Sequence, residues 1–159
     1  MFAPIILTLS PFSVEFTRFQ TITRNRIGQG DSRYSLYGTP LDNGPLYEPK
    51  FIWEVSTIVS DDDRNAFEVI AARSDQLRRQ LLDYSITVDD LVHPIIEYGG
   101  TNTRAIVPTY STEAVLGGGV RYYARFYAKI ITFTARRSAS GARPWFIDFT
   151  LSEMDKFEA

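Results

Sequence analysis

The side chains that could do chemistry are few and scattered. His93 is the single histidine in 159 residues and cysteine is absent. Histidine metal clusters, thiolate catalysis, disulfides and cysteine-ligated zinc or iron–sulfur sites are therefore excluded. Next to Pro94 in an apolar stretch, His93 reads as a packed or hydrogen-bonded residue. A triad composed of Ser10, His93 and Asp89 lacks the Gly-x-Ser-x-Gly elbow that would aim the serine. Asp61-Asp62-Asp63 has the look of a cation cluster, but calcium loops need alternating oxygens, a glycine and a distal glutamate in register. Helix capping explains the run instead. Gly28-Gln29-Gly30 has neither the third glycine of a dinucleotide fingerprint nor the lysine of a P-loop. A carboxylate-based enzyme site around Asp89, Asp90 and Glu97 has no supporting motif, so the chain is expected not to be an enzyme and to need no cofactor or metal.

The constellation with most chemical character lies in Gly119 to Ala135, GVRYYARFYAKIITFTA. A strand has a side-chain period of 2. Val120, Tyr122, Ala124, Phe126, Ala128 and Ile130 then form a core face, and Arg121, Tyr123, Arg125, Tyr127 and Lys129 alternate cation with tyrosine on the other. Such a face suits bases stacked on tyrosine with phosphates on arginine and lysine, or a subunit interface, where tyrosine and arginine are enriched. The 17 basic and 19 acidic residues leave a net charge of -2, which gives no global attraction to nucleic acid or anionic membranes. A nucleic-acid or carbohydrate module using Tyr123, Arg125, Tyr127 and Lys129 is thus the alternative reading, and an interface the leading one. The stretch is also much longer than a usual strand of about 5–6 residues, so it should bend, change sheet or project beyond its domain.

The elements that position these residues follow in chain order. Ile5 to Leu9 and Val14 to Arg24 read as strands separated by Ser10-Pro11, the second with a bulge because Phe16 and Phe19 fall on opposite faces. From Asn25 to Pro49 glycine and proline abolish periodicity. Loops longer than about 12–15 residues inside a compact domain are usually functional or disordered. Ile27, Tyr34, Leu36, Tyr37, Leu41, Leu46 and Tyr47 supply enough apolar surface to predict a docking loop. Phe51 to Val59 alternates as a strand with Phe51, Trp53, Val55 and Val59 on one face. Ser60 and the three aspartates open a helix running to about Leu82, with a stripe of Phe67, Ile70, Ala71, Leu77 and Leu81. Tyr84 to Val88 is a short strand and Asp89-Asp90 starts a turn. Val92 to Tyr98 is an edge strand, because Pro94 cannot donate to a ladder. Thr103 to Tyr110 is a strand interrupted by Pro108, and Gly117-Gly118-Gly119 a hinge. Pro144 to Leu151 returns as the second half of a hairpin, with Trp145, Ile147, Phe149 and Leu151 on one face.

The expected architecture is one domain over 1–159, α+β, mainly an antiparallel β-sandwich or split barrel with one flanking helix and a long C-terminal hairpin. No window reaches the roughly 20 apolar residues of a transmembrane helix, and the apolar start MFAPIILTLSPF has no basic region before it. A soluble protein is expected.

The order of strand, strand, glycine-rich loop, strand, single helix and strands ending in a hairpin resembles the fold of tail-tube and distal-tail or baseplate-hub proteins of tailed bacteriophages and contractile injection systems. The segments that carry the resemblance are 14–24, 25–49, 51–59, 61–82 and 119–151. It implies a non-enzymatic virion protein, made in the host cytoplasm, that forms rings with copies of itself and joins other tail or baseplate proteins. Nucleic acid would meet it only by passing through a lumen. The expected contact residues are Tyr34, Leu36, Tyr37, Leu41 and Tyr47 of the loop and Arg121, Tyr123, Arg125, Tyr127 and Lys129 of the strand.

Overall fold

A computed structural model describes residues 3–26, 32–34, 40–42, 50–98, 103–137 and 141–155, with the side chains of 32–34 and 40–42 left aside. The strands are β1 (Ile5–Leu9), β2 (Phe12–Phe16), β3 (Phe19–Arg26), β4 (Ser32–Tyr34), β5 (Pro40–Asp42) and β6 (Phe51–Val59). After the helix α1 (Asp61–Arg79) come β7 (Ile86–Asp90), β8 (Ile95–Tyr98), β9 (Ala105–Ile106), β10 (Glu113–Val115), β11 (Gly119–Tyr122), β12 (Ala124–Arg137) and β13 (Trp145–Glu153). The main sheet has eight strands in the order β2-β1-β7-β12-β13-β6-β3, with β9 also on β12, and every pairing is antiparallel. This is the mainly antiparallel α+β class expected, with the sheet curled into a half-barrel.

The curl has a covalent cause. β2 and β3 lie at opposite ends of the strand order, yet only Thr17 and Arg18 join them. The sheet must bend until its ends approach. The expected single bulged strand over Val14 to Arg24 is thus two strands, and the Phe16/Phe19 phase change marks the corner between them. Arg18 turns that corner against β6, its carbonyl accepting from Ile58 N at 3.0 Å and Thr57 Oγ1 at 2.8 Å.

β12 is the opposite corner. Its first part pairs with β7 (Arg125↔Asp89 to Ala128↔Ile86), and its remainder pairs with β13 (Ala128↔Glu153 to Arg137↔Trp145). The expected single strand over Gly119 to Ala135 breaks at Tyr123: β11 belongs to a separate three-stranded sheet, β10-β11-β8. Alternation holds through Tyr122, Ala124, Phe126 and Ala128, all buried, until a register shift between Ile130 and Thr132 transfers the core face to Phe133 and Ala135. The hinge expected at Gly117-Gly118-Gly119 is instead the β10–β11 hairpin, with Gly117 and Gly118 in its turn and Gly119 opening β11 opposite Val115. Gly117 and Gly118 have φ of 84° and 82°, where a Cβ is strained, and a Cβ on Gly119 would stand 2.8 Å from Val115.

Ser60 caps α1, its Oγ accepting from Asp63 N at 3.3 Å, with three aspartates in the first turn and Arg78 and Arg79 in the last. Phe67, Ile70 and Ser74 are its buried residues, so Leu81 is not part of the stripe. The helix ends at Arg79, short of Leu82, because Leu81 turns left-handed (φ 57°). Leu82 N then donates to Leu77 O and Leu81 N to Arg78 O, the paired bonds of a Schellman stop. Phe67 meets Phe16, Phe133 and Phe149 at ring distances of 5.8, 5.3 and 5.0 Å, which fastens α1 over the core face.

Candidate assembly surface and the charged end of the core

At the end of the barrel where β6 begins, the core is charged. Asp90, fully buried on β7, accepts from Trp53 Nε1 (3.0 Å), Val92 N (2.9 Å) and His93 N (3.0 Å), and lies 3.4 Å from Arg24 Nη1 and 3.3 Å from His93 Nδ1. Burial pushes its carboxyl up, but the bonds from His93 and Trp53 and the charge of Arg24 outweigh that and hold it below the usual range. Arg24 also donates to the carbonyls of His93 (2.6 Å) and Pro94 (3.1 Å). Arg104 grips Glu153 with two nitrogens at 2.7 and 2.9 Å, and Glu153 accepts from Phe51 N. Both guanidiniums lie over the rings of Phe51 and Phe126.

Two arginines tie the small sheet to the main one: Arg24 of β3 holds the carbonyls just before β8, and Arg104, gripping Glu153 of β13, lies 4.0 Å from Glu97 of β8. Glu97 of β8 accepts from Tyr122 OH at 3.0 Å and bonds Thr103. Asp89 receives both Nε and Nη2 of Arg125 at 2.7 and 2.8 Å. Asp89 and Asp90 close β7 instead of opening a turn, and each oxygen pair is occupied by the fold. The arrangement can fix strands; His93 serves it at the rim, half-buried. Among the described residues no group of three or more acidic or histidine side chains is placed to hold a metal ion, and no helix is long and apolar enough to cross a membrane.

The expected contact residues separate. Tyr34 lies in β4 and Leu41 in β5, which pair as a hairpin inside the long loop, while Leu36, Tyr37 and Tyr47 fall outside the described residues. Arg121 is on β11 between Glu113 and Ile96. Tyr123 stands at the break, its ring 5.3 Å from that of Tyr110. Arg125 is engaged by Asp89, Tyr127 is half-buried opposite Thr87, and Lys129 is exposed opposite Ser152. The cation and tyrosine row is therefore shared between two sheets.

What sequence reasoning missed is an edge. Arg125 pairs with both Asp89 and Ala105, and Ala128 with both Ile86 and Glu153, so the start of β12 is flanked on both sides. From Lys129 to Arg137, β13 occupies one side, and no described strand occupies the other. β3, at the far end of the order, pairs with β6 and with no other described strand. Ile131 is 49% exposed and Phe133 39%, beside a groove of about 450 Å³ between β12 and α1 that Ala71, Ala72 and Ile130 also line. The run IITFTARR, bare of proline, was the available signal.

No protein-family model matches the chain, and no curated protein matches it significantly.

Proposed function

We propose that this protein is a structural subunit of a phage tail or baseplate, of the tail-tube or distal-tail kind, that associates with copies of itself in a ring and connects other tail components inside the virion. One observation carries the reading: β12, β13, β6 and β3 form consecutive antiparallel strands, and among the described residues no strand pairs with either outer edge over long stretches. An open edge presents unpaired N–H and C=O groups that template another strand. Two different open edges on one subunit make a head-to-tail contact, which closes into a ring when the rotation permits. The hairpin β4–β5, carried by the loop between β3 and β6, adds a second reach toward a neighbour.

The single-stranded nucleic acid or carbohydrate reading has less support, because Arg125 is held by Asp89 and Tyr123 packs edge-on with Tyr110. Sedimentation of the purified chain across a wide concentration range tests the proposal. A discrete ring is expected, and monomer throughout, with no ring in the parent particle, defeats it. Replacing Tyr34 and Tyr37 together by alanine is expected to weaken the ring with circular dichroism unchanged; an unaltered ring removes the loop from the contact.

A further inference from the structure

The rows of residues that run across β12, β13, β6 and β3 are level. Thr132 lies opposite Thr150, Thr150 opposite Glu54, and Glu54 opposite Thr23. The next row is Phe133, Phe149, Val55 and Ile22, and the next Thr134, Asp148, Ser56 and Thr21. Phe149 and Val55 are buried, so the middle row faces the core and the flanking rows face away. At their two open ends the rows match: threonine, apolar residue, threonine on β12, and threonine, apolar residue, threonine on β3.

We infer that β3 of a second copy pairs antiparallel with the open edge of β12, with Thr132 opposite Thr23, Phe133 opposite Ile22 and Thr134 opposite Thr21 of that copy. This rests on the ring reading and names its seam. Three observations select the occupant. The subsheet has an even number of strands, so the incoming β3 of an identically oriented copy runs antiparallel to β12 and the alternation continues around the assembly. The faces agree: threonine meets threonine across the strands, a favourable pair in antiparallel sheet, and Ile22 covers the half-exposed Phe133. The lane that β3 enters is the groove beside α1, where Ala71 and Ala72 present small side chains. Because the rows are level, this register displaces successive copies by nothing along the strands. A contact that repeats by rotation alone closes into a ring, whereas one that adds a rise along the axis builds an open helix.

The chain has no cysteine, so engineered cysteines report without background. Single variants Thr23→Cys and Thr132→Cys are prepared, mixed and oxidised. Both positions are exposed, and circular dichroism checks their folding. Residues directly opposite in an antiparallel pair have Cα atoms about 4.5–5.5 Å apart, within the roughly 4.4–6.8 Å that a disulfide spans. Cross-linked dimer is expected from the mixture and not from either variant alone, and the double variant should yield a ladder ending at the ring. Thr21→Cys mixed with Thr134→Cys should cross-link equally. Thr21→Cys mixed with Thr132→Cys, a diagonal pair, should give at most roughly a tenth of the yield. Rings that persist without a 23–132 or 21–134 cross-link overturn this seam and leave the ring reading standing. Efficient cross-linking of Phe133→Cys with itself would replace it by a two-fold contact of β12 with β12. Absence of any assembly removes both.

Discussion

The two parts of β12 share one alternating pattern in sequence and have opposite fates. From Ala124 to Ala128 the strand is flanked on both edges, Ala124, Phe126 and Ala128 are fully buried, and Arg125 is held by Asp89. From Lys129 to Arg137 no described strand takes one edge and Ile131 and Phe133 are partly exposed, though β13 still supports the other. The difference arises in neighbours, since β7 begins at Ile86 and leaves the lane beyond it to the α1 groove. A period of 2 thus reports which face is apolar and is silent on whether an edge is occupied.

Matched truncations break the comparison most sharply. Phe126→Ala should cost about 3–5 kcal/mol in urea unfolding, since Phe126 packs on Trp53 and Phe51 and lies under both buried guanidiniums. Phe133→Ala should cost about 1–2 kcal/mol in dilute solution, where the ring keeps its contact with Phe67, yet should abolish the ring in sedimentation. Equal losses from both would erase the distinction.

Asp90 secures β7, the strand that fills the lane beside the closed part. Asp90→Asn should cost about 2–3 kcal/mol at neutral pH, by weakening charge-assisted bonds to Trp53, His93 and Arg24. Its carboxyl lies lower in the folded than in the unfolded state, so the unfolded chain takes up the proton first. The stabilisation is complete above the ordinary aspartate value of about 3.9 and is lost as pH falls through the lower folded value. Unfolding free energies followed from pH 6 downward, by about one unit steps, should show a loss in the native chain that is smaller in Asp90→Asn; parallel profiles would contradict the role.

Smaller effects sharpen the contrast further. Thr134→Lys puts a charge on the open edge, and should change monomer stability by less than about 0.5 kcal/mol while preventing assembly. Leu81→Gly, away from both parts, should raise stability by about 1 kcal/mol, because leucine holds a left-handed φ of 57° at the end of α1. A lowered melting temperature there would contradict the helix-stop geometry.

Local chemistry explains what was legible. The cap at Ser60, the alternation of β6 and the hairpin partner β13 each depend on residues close in sequence, and each could be read from the chain. The corner between Phe16 and Phe19 left only a phase change, which a bulge explains equally well. The charged end was hidden because its partners are distant: Arg24 and Asp90 are separated by 66 positions, and Arg104 and Glu153 by 49. Asp89-Asp90 therefore looked like a turn when each was the counter-ion of a strand elsewhere. Among the expected contact residues of the strand, Lys129 stands exposed at the start of the open edge, while Arg125 shows how a buried partner removes a cation from a surface that its spacing predicts.

Hydrogen exchange along β12, measured in dilute monomer and again in the assembled state, tests the seam most directly. Amides of 124–128 should be protected in both states. Alternate amides of 129–137, those directed at the open edge, should exchange quickly in the monomer and become protected on assembly. Equal protection of both parts in the monomer, or fast exchange of the open edge that persists in the assembly, would contradict an intersubunit strand at that position.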